Sequence, residues 1–167
     1  MRVSGGGGGG GKLLAEAVAA AASSVVFDDI DAYGYDSFLL TVGGGLLSTT
    51  NDFKMLFRAA AVDITANYEC IDTRASAAGA FSSGGSTGAA AMKLGSLHSA
   101  SKGTFSVNIF NLTNGTTPSI SGVGQYGTFQ AFAGVYTGGL TVTGFKLAGW
   151  SGETITGTFR LYGVGQS

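Results

Sequence analysis

The chain has 167 residues, suited to a single domain that buries its own core, and its net charge of −1 comes from 9 basic and 10 acidic side chains. That balance excludes a global electrostatic pull toward nucleic acid. The single cysteine excludes an internal disulfide framework, and one cysteine with one histidine cannot build a zinc site.

Residues 1–11 read as an extended tail. The run Gly5 to Gly11 cannot hold a helix, since each glycine costs about 1 kcal/mol there relative to alanine. Lys12 to Ala22 has helix propensity, with Leu13, Leu14, Ala17, Val18 and Ala21 on one side. Arg2, Lys12 and the alanines imitate a secretion signal, but Glu16 and the seven glycines break that pattern. Residues 1–22 are therefore expected as an N-terminal arm and 23–167 as the domain.

From Ser23 the pattern has period two, the signature of strands with one face toward a core. Val25 and Phe27, Phe38 and Leu40, Phe53 to Phe57, Phe105 to Ile109, Phe129 to Val135, Leu140 and Val142, and Phe159 and Leu161 each alternate with a second set. Gly43-Gly44-Gly45, Asn114-Gly115 and Gly138-Gly139 read as turns between them. Residues 72–102, rich in Ala, Ser and Gly, read as a long loop with one short strand near Ala90 to Leu94. About eight short strands with turns between them predict an all-β fold, a single antiparallel β-sandwich of jelly-roll type. No stretch of about 20 apolar residues offers a membrane-spanning helix.

Only 11% of residues are charged, against a usual quarter, while glycine numbers 30. The polar surface must then be Ser, Thr, Asn and Gly, which suits close contact with other protein. The charge is uneven. Residues 1–73 carry nine acids and four bases, and residues 74–167 carry Glu153 against Arg74, Lys93, Lys102, Lys146 and Arg160. If both halves interleave in one sandwich, these charges cancel locally.

Several motifs imitate chemical sites. Gly84-Gly85-Ser86-Thr87-Gly88 matches a nucleophile elbow, but lies in a Gly/Ser tract with no helix signal after it, and Glu153 is the only acid beyond His98. Gly122 to Gly127 matches a dinucleotide fingerprint, yet strand-like sequence follows and no acid lies 20 residues on, so a turn is expected. Asp28, Asp29, Asp31 and Asp36 are oxygen ligands close enough in sequence for calcium, but lack the glycine and closing glutamate of a helical-hand loop, and turn or strand-end aspartates explain them. Tyr33, Tyr35, Tyr126, Tyr136 and Trp150 would stack on sugars only if they shared a surface. Cys70 reads as a small hydrophobe on a strand. No catalytic residue, cofactor or metal ligand is expected.

The stretch Gly152-Glu153-Thr154-Ile155-Thr156-Gly157-Thr158-Phe159-Arg160-Leu161-Tyr162-Gly163-Val164 resembles the closing strand of small phage virion structural proteins. Phe27-Asp28-Asp29-Ile30-Asp31, followed by Tyr35 to Leu40, is similar to that group's opening. Phe105 to Asn111 is similar to one of its middle strands. The polyglycine tail, the alanine-rich segment and Gly43-Gly44-Gly45, where relatives have a longer polar loop, depart from the pattern. The resemblance implies a non-enzymatic, jelly-roll-like virion component, commonly trimeric and found among head-decoration, fibre and tail proteins. Its partners would be its own copies and the major capsid or other virion proteins, with neither nucleic acid nor membrane involved. Met1, Arg2, Val3 and Ser4 would belong to an arm that docks onto another virion protein as an added strand. The alternative is a receptor- or glycan-binding module at the tip of a tail fibre, with a host surface glycan as its partner.

Overall fold

The structure is a computed structural model that describes residues 11–75, 80–112, 117–126 and 128–165. The described residues form thirteen strands, most of them marked by alternating apolar side chains. In order they are β1 (Lys12–Ala22), β2 (Ser24–Phe27), β3 (Ser37–Leu47), β4 (Asn51–Ala59), β5 (Val62–Asp63), β6 (Tyr68–Ala75) and β7 (Phe81–Ala89). They continue with β8 (Met92–Leu97), β9 (Gly103–Phe110), β10 (Ser119–Tyr126), β11 (Thr128–Tyr136), β12 (Gly144–Gly149) and β13 (Ile155–Val164). A 3-10 turn, Ile30–Tyr33, links β2 to β3.

Eight strands form one sheet in the order β1-β13-β3-β9-β10-β11-β6-β7. The second sheet runs β2-β12-β4, with β5 and β8 both pairing on β4. The strand pairings are antiparallel, and the two sheets form a jelly-roll-like β-sandwich. Burial follows the alternation closely on β9, where Gly103, Phe105, Val107 and Ile109 face inward and Thr104 and Asn108 face out.

Aromatic rings fill the space between the sheets. Phe53 of β4 lies 5.9 Å from Phe105 and 6.4 Å from Phe159, centroid to centroid. Phe57, Tyr68 and Tyr136 form a second group. The buried Tyr68 hydroxyl accepts a hydrogen bond from the Phe57 N–H at 2.8 Å and donates one to the Ile64 carbonyl at 3.0 Å. Burial, offset only in part by the Phe57 N–H, raises its pKa far above the ordinary tyrosine value.

The expected period-two strands at 25–27, 38–41, 53–58, 105–110, 129–135 and 159–162 all appear, and several sequence expectations are corrected. Lys12–Ala22 is a strand, not a helix. It pairs with β13, and Leu14, Ala15, Ala17, Ala19 and Ala22 pack against the core, so tertiary pairing overrides alanine's helix propensity. The sheet thus crosses the arm boundary expected at Ser23. Gly43-Gly44-Gly45 is not a turn. β3 runs through it, with an irregular register between Val42 and Gly45 and Gly44 at φ 66°. The described residues of 72–102 carry the end of β6, all of β7 and β8 rather than a long loop, and β8 overlaps the short strand expected near Ala90 to Leu94. Leu140 to Thr143 is a connection, with β12 starting only at Gly144. Gly138-Gly139 does separate strands as expected, and the Asn114-Gly115 turn lies outside the described residues.

Of the stretch Gly122 to Gly127, expected as a turn, residues 122–126 belong to β10 instead, and Gly127 lies outside the described residues. The β10 glycines are the floor for two rings. A Cβ on Gly122 would lie 2.6 Å from Phe132 Cζ, and one on Gly124 would overlap the Phe105 ring. Gly122→Val should therefore overpack this layer and destabilise the fold by about 1–3 kcal/mol. Urea unfolding with an unchanged midpoint would show that Phe132 can move aside.

Candidate interaction surface

Register decides which side chains share a face. Leu13, Tyr162, Leu39, Asn108, Ser121, Ala133, Ile71 and Gly85 are paired in turn across the eight strands. A neighbouring outward row runs Glu16, Arg160, Thr41, Ser106, Val123, Ala131, Thr73 and Ser83. These are small polar and apolar residues with one ion pair, Arg160 to Glu16 at 2.5 Å. The apolar set Phe129, Ala131, Ala133 and Val135 of β11 faces outward too, because Gln130, Phe132 and Tyr136 turn into the sandwich.

Charge is concentrated on the other side, where β6 faces β4 and β8. Arg74 donates to Asp52 Oδ1 at 2.7 Å, Asp72 Oδ2 at 2.9 Å and Ser96 Oγ at 2.7 Å. Lys93 lies 2.8 Å from Asp52 Oδ2 and 3.8 Å from Asp72. The buried Gln130 accepts from the Ser96 N–H at 2.6 Å and donates back to its carbonyl at 3.2 Å. Burial alone would raise the pKa of Asp52, but hydrogen bonds from Lys93, Ser96 and Arg74 outweigh it and hold the carboxyl below the ordinary 3.8. Glu153 is similar: burial raises its pKa, while the Asn51 amide and backbone N–H groups leave it lowered.

The uneven halves of the sequence do cancel locally. Arg74, Lys93, Lys146 and Arg160 from the second half all pair with acids of the first.

The proposed arm residues Met1, Arg2, Val3 and Ser4 lie outside the described residues. The elbow-like Gly84 to Gly88 is part of β7 and is followed by another strand, and its Ser86 Oγ lies 3.2 Å from Cys70 Sγ. Cys70 is on β6 as expected, though only half-buried. His98 follows β8 and its Nδ1 accepts the Ala100 N–H. Of the aspartate cluster, Asp28 pairs with Arg58 at 3.1 Å and Asp29 precedes the 3-10 turn in a left-handed conformation without a side-chain capping bond. No group of three or more His, Cys, Asp or Glu able to hold a metal occurs among the described residues. Tyr35 and Tyr136 are buried, whereas Tyr33 and Trp150 are exposed, with Trp150 under the Lys54 ammonium.

Sequence reading missed the outward row through Ile71 and Ala133. Its signal existed in the alternation of β11, but in β6 only Cys70 was expected on a strand and β7 was not expected as strand at all, so nothing placed Ile71 beside Ala133.

No protein-family model matches the chain, and no curated protein matches it. Among solved structures it is similar to the galectin LEC-6 of Caenorhabditis elegans, at 13% identity and a TM-score of 0.40, over 87% of this chain and 94% of that one. The fold class stands on the strand pairing itself.

The charge network carries a pH dependence. A carboxyl with a lowered folded pKa stabilises the fold above its unfolded value and loses that contribution as pH falls through the folded one. Stability should therefore decline below pH 3.8, partly through Asp52. Asp52→Asn should cost about 1–3 kcal/mol at pH 7, discounted for partial exposure, and flatten the acid limb of a denaturation series. An unchanged acid limb would remove Asp52 from that role.

Proposed function

We propose that this chain is a bacteriophage virion structural protein, a capsid decoration or fibre component that acts by assembling with its own copies and docking to other virion proteins. The observation that carries this reading is the outer face of the eight-stranded sheet, broad, regular and nearly free of unpaired charge. Such a face presents little repulsion to a neighbouring protein surface.

The sequence resemblance adds support in a spatially coherent way. Its stretches fall mainly on β13, β3 and β9, which are adjacent in that sheet. The role is mechanical rather than catalytic: the inward face and its ring layer provide rigidity, and the outward face provides contact. The virion is the corresponding location.

Quantitative mass spectrometry of purified particles, against the major capsid protein, tests the reading. A ratio near one copy per capsid subunit, or per few, is expected for decoration, and a handful per particle for a fibre. Absence from the particle would refute a virion role. Deleting residues 1–11 should abolish incorporation while leaving the thermal unfolding transition in place, and normal incorporation would remove the arm from docking.

A further inference from the structure

The outer face has a hollow at one end of its strands and two aromatic projections at the other. The hollow, about 870 Å³, is lined by residues of β6, β7, β10 and β11 alone, among them Glu69, Ile71, Gly85, Ala133 and Val135. None comes from the facing sheet, so it opens outward. It exists because Gly85, Ala133 and Ser119 are too small to fill their positions, which leaves Ile71 54% exposed. At the other end Phe81 of β7 is 75% exposed and Phe129 of β11 is 53% exposed. Ala75 pairs with Phe81, and its neighbour Arg74 pairs with Gln130, so the two rings project from the same end of the face. Val123, 45% exposed, continues the apolar stripe between rings and hollow.

We infer that this face is a homotypic interface, in which the Phe81 and Phe129 rings of each copy seat in the hollow of the other across a two-fold axis. The offset from ring to hollow matches on both strands: Phe129 to Ala133 and Phe81 to Gly85 are each four residues, about 13 Å along a strand. A two-fold axis across the strands, near Ala131 and Thr73, therefore places both rings over the hollow at once. Projection and socket on one surface are what an isologous contact requires, and aromatic side chains in a pocket are the usual energetic centre of an interface.

Size and charge agree with a second copy as the occupant. Four strands at about 4.8 Å and eight residues at about 3.3 Å cover roughly 500 Å² on each copy, so a pair reaches the ~1,000 Å² of a specific interface. The rest of the eight-stranded face extends that area. Of the outward side chains on these four strands, only Glu69 is charged, at the rim of the hollow.

This inference rests on the self-assembly part of the proposed function and names its surface. Sedimentation equilibrium of the full chain should give the mass of two copies, or an even multiple. Ile71→Arg, which puts a charge in the hollow, should yield monomer at concentrations where the unaltered chain is dimeric. Phe81→Ala should weaken association at least tenfold. Val62→Arg, on β5 of the other sheet, should change nothing. Far-UV circular dichroism should be the same for all, since each altered side chain is exposed. If the unaltered chain associates and both face variants associate equally well, self-assembly stands and this face is wrong. A mass of three copies, which the sequence resemblance implies, would also overturn the two-fold contact. A monomeric unaltered chain would overturn this interface together with self-assembly of the isolated chain, and leave the presence of the chain in particles to be decided separately.

Discussion

The sandwich depends on Phe53 lying between Phe105 and Phe159. That contact joins the central strand of the smaller sheet to two strands of the larger one, and the remaining rings arrange around it. Phe105 in turn tilts against Phe132 at 6.2 Å. Rings of this size need flat ground on the opposite strand, and glycine supplies it. Gly124 sits beneath Phe105, Gly122 beneath Phe132, and Gly163 beneath Tyr35, where a Cβ would come within 2.6 Å of the ring. These glycines thus serve close packing of sheet against ring rather than chain flexibility.

This packing rule explains how well the fold could be read. Strands whose inward set is large and apolar, such as Phe53 to Phe57 and Phe105 to Ile109, were legible because burial and period two coincide there. β10 was not, since its inward positions at Gly122 and Gly124 are empty and its composition imitates a turn. β7 failed for a different reason. It is a sheet edge, exposed over nearly its whole length, so no buried face marks Phe81–Ala89 as strand. β1 failed because alanine is the best helix former in isolation, and only the presence of β13 beside it makes the extended state the better one.

The distribution of charge follows from the same architecture. Basic residues of the second half fold back onto acids of the first, at the Arg74–Asp52–Lys93 network, at Lys146–Asp63 and at Arg160–Glu16. This pairing uses four of the five basic side chains that lie beyond residue 73. The network around Arg74 lies on the inward side of β6, where the smaller sheet ends and β7 continues past it. There the large sheet no longer has a complete apolar partner, and the ion pairs among Arg74, Lys93, Asp52 and Asp72, with hydrogen bonds from Gln130 and Ser96, close the gap.

An edge strand is ordinarily protected by lysine, proline or a bulge against pairing with other chains. β1 carries such devices: Lys12, two register shifts against β13, and Ala21 at φ 54°. β7 has neither lysine nor proline, and its one register irregularity lies at the Ala89 end. The less protected edge therefore adjoins the most apolar part of the outer face, with Phe81 belonging to both. The candidate surface could not be found by any linear motif, because Phe81, Ile71, Val123 and Phe129 become neighbours only through the β7-β6-β11-β10 pairing. Each is an ordinary apolar residue in its own segment, and their meaning is a property of register alone.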